Sequence, residues 1–207
     1  QTEFSSINRL RKRIMKKLGL LIVILSVFST TVFSQVDDSK SRTILDKVSA
    51  KLQTYTNFKI EFSYTMEDKA HDINETLNVT VVMQGKKFNL DFMDRNIIGD
   101  GKTMWTYSSD DEEVTISNAE EGDETGNPFD ILTDYDKTFR TKLIKTIKED
   151  GKTIHIIDMY PKETKSYHKI RVKIDKATMR LVSGTIHNKD NVTYTYKVKK
   201  FTPNVTV

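Results

Sequence analysis

Apolar and polar residues alternate with a period of two over most of the chain from residue 58 onward. In the first such run, Phe58, Ile60, Phe62, Tyr64 and Met66 alternate with polar side chains. Further runs of this kind cover residues 77–83, 88–92, 113–117, 153–159, 168–174, 181–188 and 193–198. A period of two predicts strands with one apolar and one wetted face, which suits an antiparallel sheet. We expect about nine or ten strands and a mainly β protein of the α+β class.

A helical period precedes the first strand. Its apolar positions are Ile44, Leu45, Val48 and Leu52. This spacing predicts an amphipathic helix over residues 40–54, with Ser39 or Ser41 as its N-cap.

A second helical segment follows an acidic run at residues 120–124. Asn127 and Pro128 have the residue types that favour an N-cap and a first helical position. The apolar stripe of this predicted helix consists of Phe129, Leu132, Tyr135 and Phe139. Residues 142–148 either extend the helix or begin the next strand.

Asp100-Gly101 lies between two apolar runs and predicts a β-hairpin. Beyond the turn stands Trp105, the only tryptophan in the sequence, with Tyr107 on the same strand face. Two interpretations remain open. Trp105 is either an ordinary core residue of a hairpin or part of an aromatic lining on a concave, ligand-holding sheet.

A sheet of this size tends to curl or close. Two short helices cannot fill the inside of a half-barrel built from about ten strands. We therefore expect a concave apolar cavity that holds an apolar ligand, with the helices acting as its lid.

The positive formal charge of +4 belongs to the N-terminal segment. Removing the six basic residues and one acid of residues 1–34 leaves 27 Lys+Arg against 28 Asp+Glu. The remaining chain therefore has no basic excess, and we expect no nucleic-acid partner.

Residues 15–34 have the layout of a signal peptide. Lys16 and Lys17 precede an apolar run that ends at Phe28, and Ser34 ends an acceptable cleavage site. We expect residues 1–14 to be an upstream extension and residues 35–207 to form a single exported domain. An uncleaved membrane anchor is the alternative.

The sequence offers little catalytic chemistry. It has no cysteine and four histidines, none in a recognisable metal-binding spacing. The acidic residues 110–113 fit a solvated hairpin tip. We predict that the protein is not an enzyme and carries no metal or other cofactor.

Several motifs together resemble the LolA family of bacterial periplasmic lipoprotein carriers. Residues 100–107, Asp-Gly-Lys-Thr-Met-Trp-Thr-Tyr, are similar to the family's Asp-Gly-Lys-Thr hairpin with its Trp and Tyr. Residues 127–132, 154–162 and 201–205 resemble other segments of the family, and they occur in the same order.

This resemblance implies an unclosed antiparallel β-barrel of about 10–11 strands, with a helical lid over an apolar cavity for acyl chains. We predict that the cavity is lined by Phe62, Tyr64, Val79, Val81, Phe88, Leu90, Phe92, Trp105, Tyr107 and Ile116. The predicted lid residues are Phe129, Ile131, Leu132, Tyr135 and Phe139.

The resemblance also implies function and partners. It implies a monomeric carrier in the periplasm of a Gram-negative bacterium, with acylated lipoproteins as cargo. The donor would be an inner-membrane ABC-type release complex, and the acceptor an outer-membrane receptor or the membrane itself. A lipid- or glycolipid-binding sensor or carrier of the same fold is the alternative.

One position departs from the family pattern. Some members have an arginine just before the strand of Phe88, where it holds the lid shut. Gln84 stands at the matching position here, so the sequence does not show what closes the lid.

Overall fold

The computed structural model describes residues 39–118, 130–133 and 135–206. The predicted leader, the acidic run and the segment Asn127–Phe129 lie outside these residues. The helices are α1 (Ser39–Gln53), α2 (Asp130–Thr133) and α3 (Tyr135–Thr138). The strands are β1 (Phe58–Asp68), β2 (Ile73–Gln84), β3 (Lys87–Phe92), β4 (Arg95–Gly99), β5 (Thr103–Ser108), β6 (Glu113–Asn118), β7 (Phe139–Glu149), β8 (Lys152–Pro161), β9 (Tyr167–Asp175), β10 (Arg180–Asn188) and β11 (Thr193–Pro203).

The strands form one antiparallel sheet of eleven strands in the order β6-β5-β4-β3-β2-β1-β11-β10-β9-β8-β7. β1 and β11, the first and last strands along the sequence, pair with each other at the centre of the sheet. In the described part of the chain, β6 and β7 lie at opposite edges and do not pair with each other. The predicted unclosed antiparallel barrel is confirmed.

Helix α1 lies within one residue of its predicted position and turns its apolar stripe towards the sheet. Leu45 and Val48 are fully buried in the larger of two hydrophobic clusters. Ser41 is inside the helix rather than at its cap, and its buried hydroxyl is 2.7 Å from Thr141 Oγ1 of β7. This hydrogen bond satisfies both polar groups where the helix meets the edge strand.

The second predicted helix is different in the structure. It is divided into two short helices, and Phe139 is the first residue of β7 instead of a helical residue. The stretch 142–148, whose pattern allows helix or strand, belongs to β7. Thus Phe139 is buried because it begins a strand that packs under α1, not because it belongs to a lid helix.

The buried apolar residues form two clusters. The larger cluster joins α1, α2 and α3 to strands β7–β10. The smaller cluster joins β1 and β2, with β3 and β11 packed against it. Leu181 and Tyr196 contact both clusters and make the apolar interior continuous.

A buried carboxylate of β8, that of Asp158, forms ion pairs with partly exposed cations of β9. Arg171 donates to both carboxylate oxygens of Asp158, from Nε at 2.6 Å and from Nη2 at 2.8 Å. Lys169 lies 3.4 Å from the same carboxylate. Burial raises the pKa of Asp158, but Arg171 and Lys169 more than offset this effect, so the pKa lies below its usual value of 3.8.

Removing this charge should therefore have a pH-dependent cost. At pH 7, Asp158→Asn should lower the free energy of unfolding by about 2–3 kcal/mol, because Arg171 loses its buried partner. A lowered carboxyl pKa contributes stability above the unfolded pKa, and this contribution disappears as the pH falls through the folded pKa. The difference from wild type should therefore shrink below pH 3.8. Urea unfolding at several pH values measures this difference in the free energy of unfolding, and Asp110→Asn, at an exposed position, is the control. The same loss of unfolding free energy at all pH values would contradict the assigned role of the Asp158 charge.

Candidate functional site

Cross-strand pairing assigns the paired residues of the sheet to one of two faces. Paired residues share a face, so one continuous row runs through Ile60, Val81, Leu90, Ile97 and Thr106. We call the face with this row the inner face, since it carries both hydrophobic clusters. The opposite face is the outer face.

Seven of the predicted cavity residues lie together on the inner face. They are Phe62, Tyr64, Val79, Val81, Phe88, Leu90 and Phe92. Phe62, Val79 and Val81 are at most 5% exposed, and the others are partly buried against them. The structure brings these seven residues together on one apolar surface; that this surface holds acyl chains stays a prediction.

Aromatic rings extend this surface across the centre of the sheet. The ring of Tyr64 lies 6.0 Å from Phe92, in an edge-on arrangement, and 5.9 Å from Tyr194, in a stacked one. Phe62 lies 5.8 Å from Tyr196. Sequence reasoning missed Tyr194 and Tyr196, although the period of two in β11 could have placed them on this face.

The other three predicted cavity residues lie on the outer face. Trp105 pairs with Ile98 on one side and with Ile116 on the other, and Tyr107 belongs to the same face. Tyr107 is 44% exposed and Ile116 66%. The prediction that they line the same surface as Phe62 is wrong.

The error comes from choosing the face by side-chain size. In the hairpins from β3 to β6, each even-numbered residue pairs with an odd-numbered one. Because paired residues share a face, the inner-face residues have even numbers in β3, odd numbers in β4 and even numbers in β5. The inner face of β5 therefore carries Met104, Thr106 and Ser108. Trp105 is thus partly buried on the outer face and is not part of the inner lining.

The Asp100-Gly101 turn itself forms as predicted. Asp100 Oδ1 accepts hydrogen bonds from the backbone N–H groups of Lys102 and Thr103, both at 2.8 Å. Gly101 has a φ of 92°, a conformation that L side chains rarely adopt. Next to the turn, the Phe88 ring covers Gly99 and occupies the space that a β-carbon would need.

Three of the predicted lid residues pack on the inner face beside α1. Leu132 and Tyr135 are 1% and 3% exposed, and Ile131 is partly buried against the same cluster. Phe139 is buried there from β7. Phe129 lies outside the described residues.

A hydrogen bond from α3 to α1 holds this covering in place. The hydroxyl of Tyr135 donates to Asp46 Oδ1 at 2.5 Å and lies 3.2 Å from the carbonyl oxygen of Arg42. Burial and the nearby Asp46 carboxylate raise the pKa of Tyr135, which keeps the hydroxyl protonated as a donor. Gln84, by contrast, is exposed at the end of β2, opposite Lys87.

A small pocket opens where α1 and α2 meet the inner face of the central strands. Its free space is about 20 Å³, room for about one water molecule. The lining residues are Val48, Lys51, Leu52, Tyr55, Ile60, Leu132, Met179, Arg180, Leu181, Val198 and Phe201. Of the predicted cavity and lid residues that the structure describes, Leu132 alone belongs to this lining.

The described part of the chain offers neither a cluster of metal ligands nor a helix that could cross a membrane. Residues 39–118, 130–133 and 135–206 include no group of three or more His, Asp or Glu residues placed to hold a metal ion. Within those residues, no helix has the length and apolar character needed to cross a bilayer.

The fold and the apolar inner face define a class: unclosed antiparallel barrels whose inner face is covered by helices. Residues 53–207 match the model of the family described as outer membrane lipoprotein carrier protein LolA. The chain belongs to this family.

Individual relatives agree with this assignment. An outer-membrane lipoprotein carrier protein of Legionella pneumophila (strain Paris) is 26% identical over 164 residues, which cover 77% of each chain. The carrier of the Corby strain matches with the same identity and coverage. The crystal structure of an uncharacterized conserved protein from Thermus thermophilus is similar in fold, with a TM-score of 0.58 and 14% identity over 82% of this chain and 90% of that one.

The face assignment of Trp105 can be tested by fluorescence. Because its ring lies partly exposed on the outer face, a water-soluble quencher such as acrylamide should reach it readily. A Trp105→Phe chain with Phe62→Trp places the single tryptophan at a buried inner-face position and should be quenched several-fold less. Equal protection of the two tryptophans would contradict the register.

Proposed function

We propose that this protein is an exported carrier that binds the acyl chains of lipoproteins and moves them from the inner to the outer membrane. The family description and the names of the Legionella relatives support lipoprotein as cargo. The predicted signal peptide supports a periplasmic location. In this proposal the protein binds and releases its cargo without chemical change.

The observation that carries the proposal is the apolar inner face with its partial helical cover. The face spans the central strands without a break, and α1, α2 and α3 lie over one half of it. Of these three covering helices, α1 has 15 residues, whereas α2 and α3 have four residues each. Helices as short as α2 and α3 derive their stability from packing rather than from their own hydrogen bonds.

In the closed arrangement the pocket is far too small for an acyl chain. Binding beneath the helices therefore requires Leu132 to leave its place beside Ile60 and Val48, which line the same pocket. The Tyr135–Asp46 hydrogen bond opposes this opening. Because Asp46 lies on the exposed side of α1, water can replace the tyrosine as its partner, so breaking this hydrogen bond costs only about 1–2 kcal/mol.

The affinity expected of such a site suits a carrier. Each buried methylene stabilises binding by about 0.8 kcal/mol. About ten sheltered methylenes give roughly 8 kcal/mol, which corresponds to a dissociation constant near 1 μM. Cargo held this tightly can cross an aqueous gap and still pass to a more apolar acceptor.

We further propose that cargo arrives from an inner-membrane ABC-type release complex and leaves to an outer-membrane receptor or to the membrane. The affinity estimate supports release at the acceptor, because moving the acyl chains from a carrier that binds them with about 8 kcal/mol to a more apolar acceptor is downhill in free energy. We propose that the carrier acts as a monomer.

Two adjacent isoleucines provide a matched test. Ile97 pairs with Leu90 on the inner face, whereas Ile98 pairs with Trp105 on the outer face. Ile97→Gln should weaken binding of an acylated peptide about tenfold, since it removes roughly 1.5 kcal/mol of apolar contact. Ile98→Gln should change the affinity less than about twofold, because its side chain does not face the cargo.

The measurement is equilibrium binding of a diacylated peptide, with the unacylated peptide as a blank. Unfolding curves establish that both variants are folded. Equal effects of the two substitutions, or binding of the unacylated peptide, would contradict the proposal.

A further inference from the structure

Two cationic side chains stand at an otherwise apolar pocket. Lys51 comes from the last turn of α1, and Arg180 comes from the first residue of β10. The rest of the pocket lining is apolar or aromatic. A purely apolar ligand would have no use for these charges, and holding them beside an apolar cavity costs free energy unless a partner compensates.

Arg180 is held in position but incompletely satisfied. Its guanidinium carbon lies 4.9 Å from the centre of the Phe201 ring, a distance typical of a cation–π contact. Its Nε is buried and has no hydrogen-bond partner among the described residues. An unpaired buried N–H is a costly feature, and it indicates a place for an acceptor atom.

The acidic residue across the strand pair does not fill this role. Asp175 is the register partner of Arg180. However, its Oδ1 accepts from the backbone N–H of Ala177 at 3.0 Å, and its Oδ2 accepts from Thr178 Oγ1 at 2.9 Å. These hydrogen bonds stabilise the β9–β10 turn and leave the Arg180 charge available to a ligand.

Lys51 adds a second positive charge at the same place. Its Nζ donates to the carbonyl oxygen of Thr178 at 2.6 Å, and an ammonium has two further donors. Free carbonyl oxygens at the C-terminal end of α1 would repel an anion. Two of these carbonyls accept backbone hydrogen bonds instead: that of Lys51 from the Thr54 N–H and that of Leu52 from the Tyr55 N–H. Lys51 and Arg180 are thus the two charged side chains of the pocket lining, and both are cationic.

We propose that this pocket binds an amphiphile with an anionic headgroup, a carboxylate or a phosphate, joined to an acyl chain. The headgroup accepts a hydrogen bond from Arg180 Nε and pairs with Lys51. The acyl chain runs beneath α1 and α2 along Ile60, Leu132 and Leu181 as the pocket opens. The inference rests on the proposed acyl-carrier function and specifies the headgroup that the pocket prefers.

The test compares two ligands that differ in charge at the headgroup. Dodecanoate and its methyl ester each displace a fluorescent neutral acyl probe from the full-length protein. Dodecanoate should bind about tenfold more tightly than the ester, the ratio expected for one charge-assisted hydrogen bond. Arg180→Gln should reduce this ratio several-fold, towards the smaller preference that Lys51 alone provides.

Control variants separate headgroup recognition from loss of fold. Arg140→Gln removes an exposed arginine of β7 and should leave the ratio unchanged. Arg180→Lys keeps the charge but lacks Nε, so it should give an intermediate ratio. Ester binding in each variant shows that the pocket is intact.

The outcomes distinguish the two levels of the proposal. If neither dodecanoate nor its ester displaces the probe, the carrier function fails. If both bind equally to the wild type, the carrier function stands and the headgroup preference is overturned. Displacement of the probe by millimolar inorganic phosphate or acetate alone would also overturn the amphiphile proposal, because the site would then recognise a free anion.

Discussion

The cross-strand register of the eleven-stranded sheet is the constraint on which the other features depend. A shift of one residue in any hairpin would move a whole strand's apolar residues to the opposite face. The observed pairing keeps Ile60, Val81, Leu90 and Ile97 in one row. The two hydrophobic clusters, the packing of α1 and the position of the pocket all follow from this alignment.

The inner face has two properties: it is a broad apolar surface, and part of its helical cover is short. It is broad and apolar, as a folding core requires, but part of its cover consists of two short helices held by Leu132, Tyr135 and a hydrogen bond to Asp46. Long helices or a closed barrel would bury the same surface permanently. In the proposed mechanism this cover leaves and returns, and Arg180 and Lys51, which line the pocket beneath it, then stand beside the surface that it exposes.

Local patterns predicted the strands, helix α1 and the Asp100-Gly101 turn, because each depends on residues close in sequence. They did not predict the face of Trp105, since a face is set by pairing through several hairpins. The helical assignment of Phe139 is wrong for a related reason: an apolar residue at helical spacing can equally begin a buried strand. Arg180 could not be recognised at all, because its importance arises from Phe201 and Lys51, which are distant in sequence and meet only in the fold.

The central claim is that acyl chains bind to the inner face of the sheet and beneath its helical cover. The most direct measurement uses a peptide whose acyl chain carries a photoactivatable group, followed by mass-spectrometric mapping of the labelled residues. We predict labels at inner-face and cover positions such as Val81, Leu90 and Leu132, with none at Ile98 or Ile116. Labels concentrated on those two outer-face residues would contradict the account.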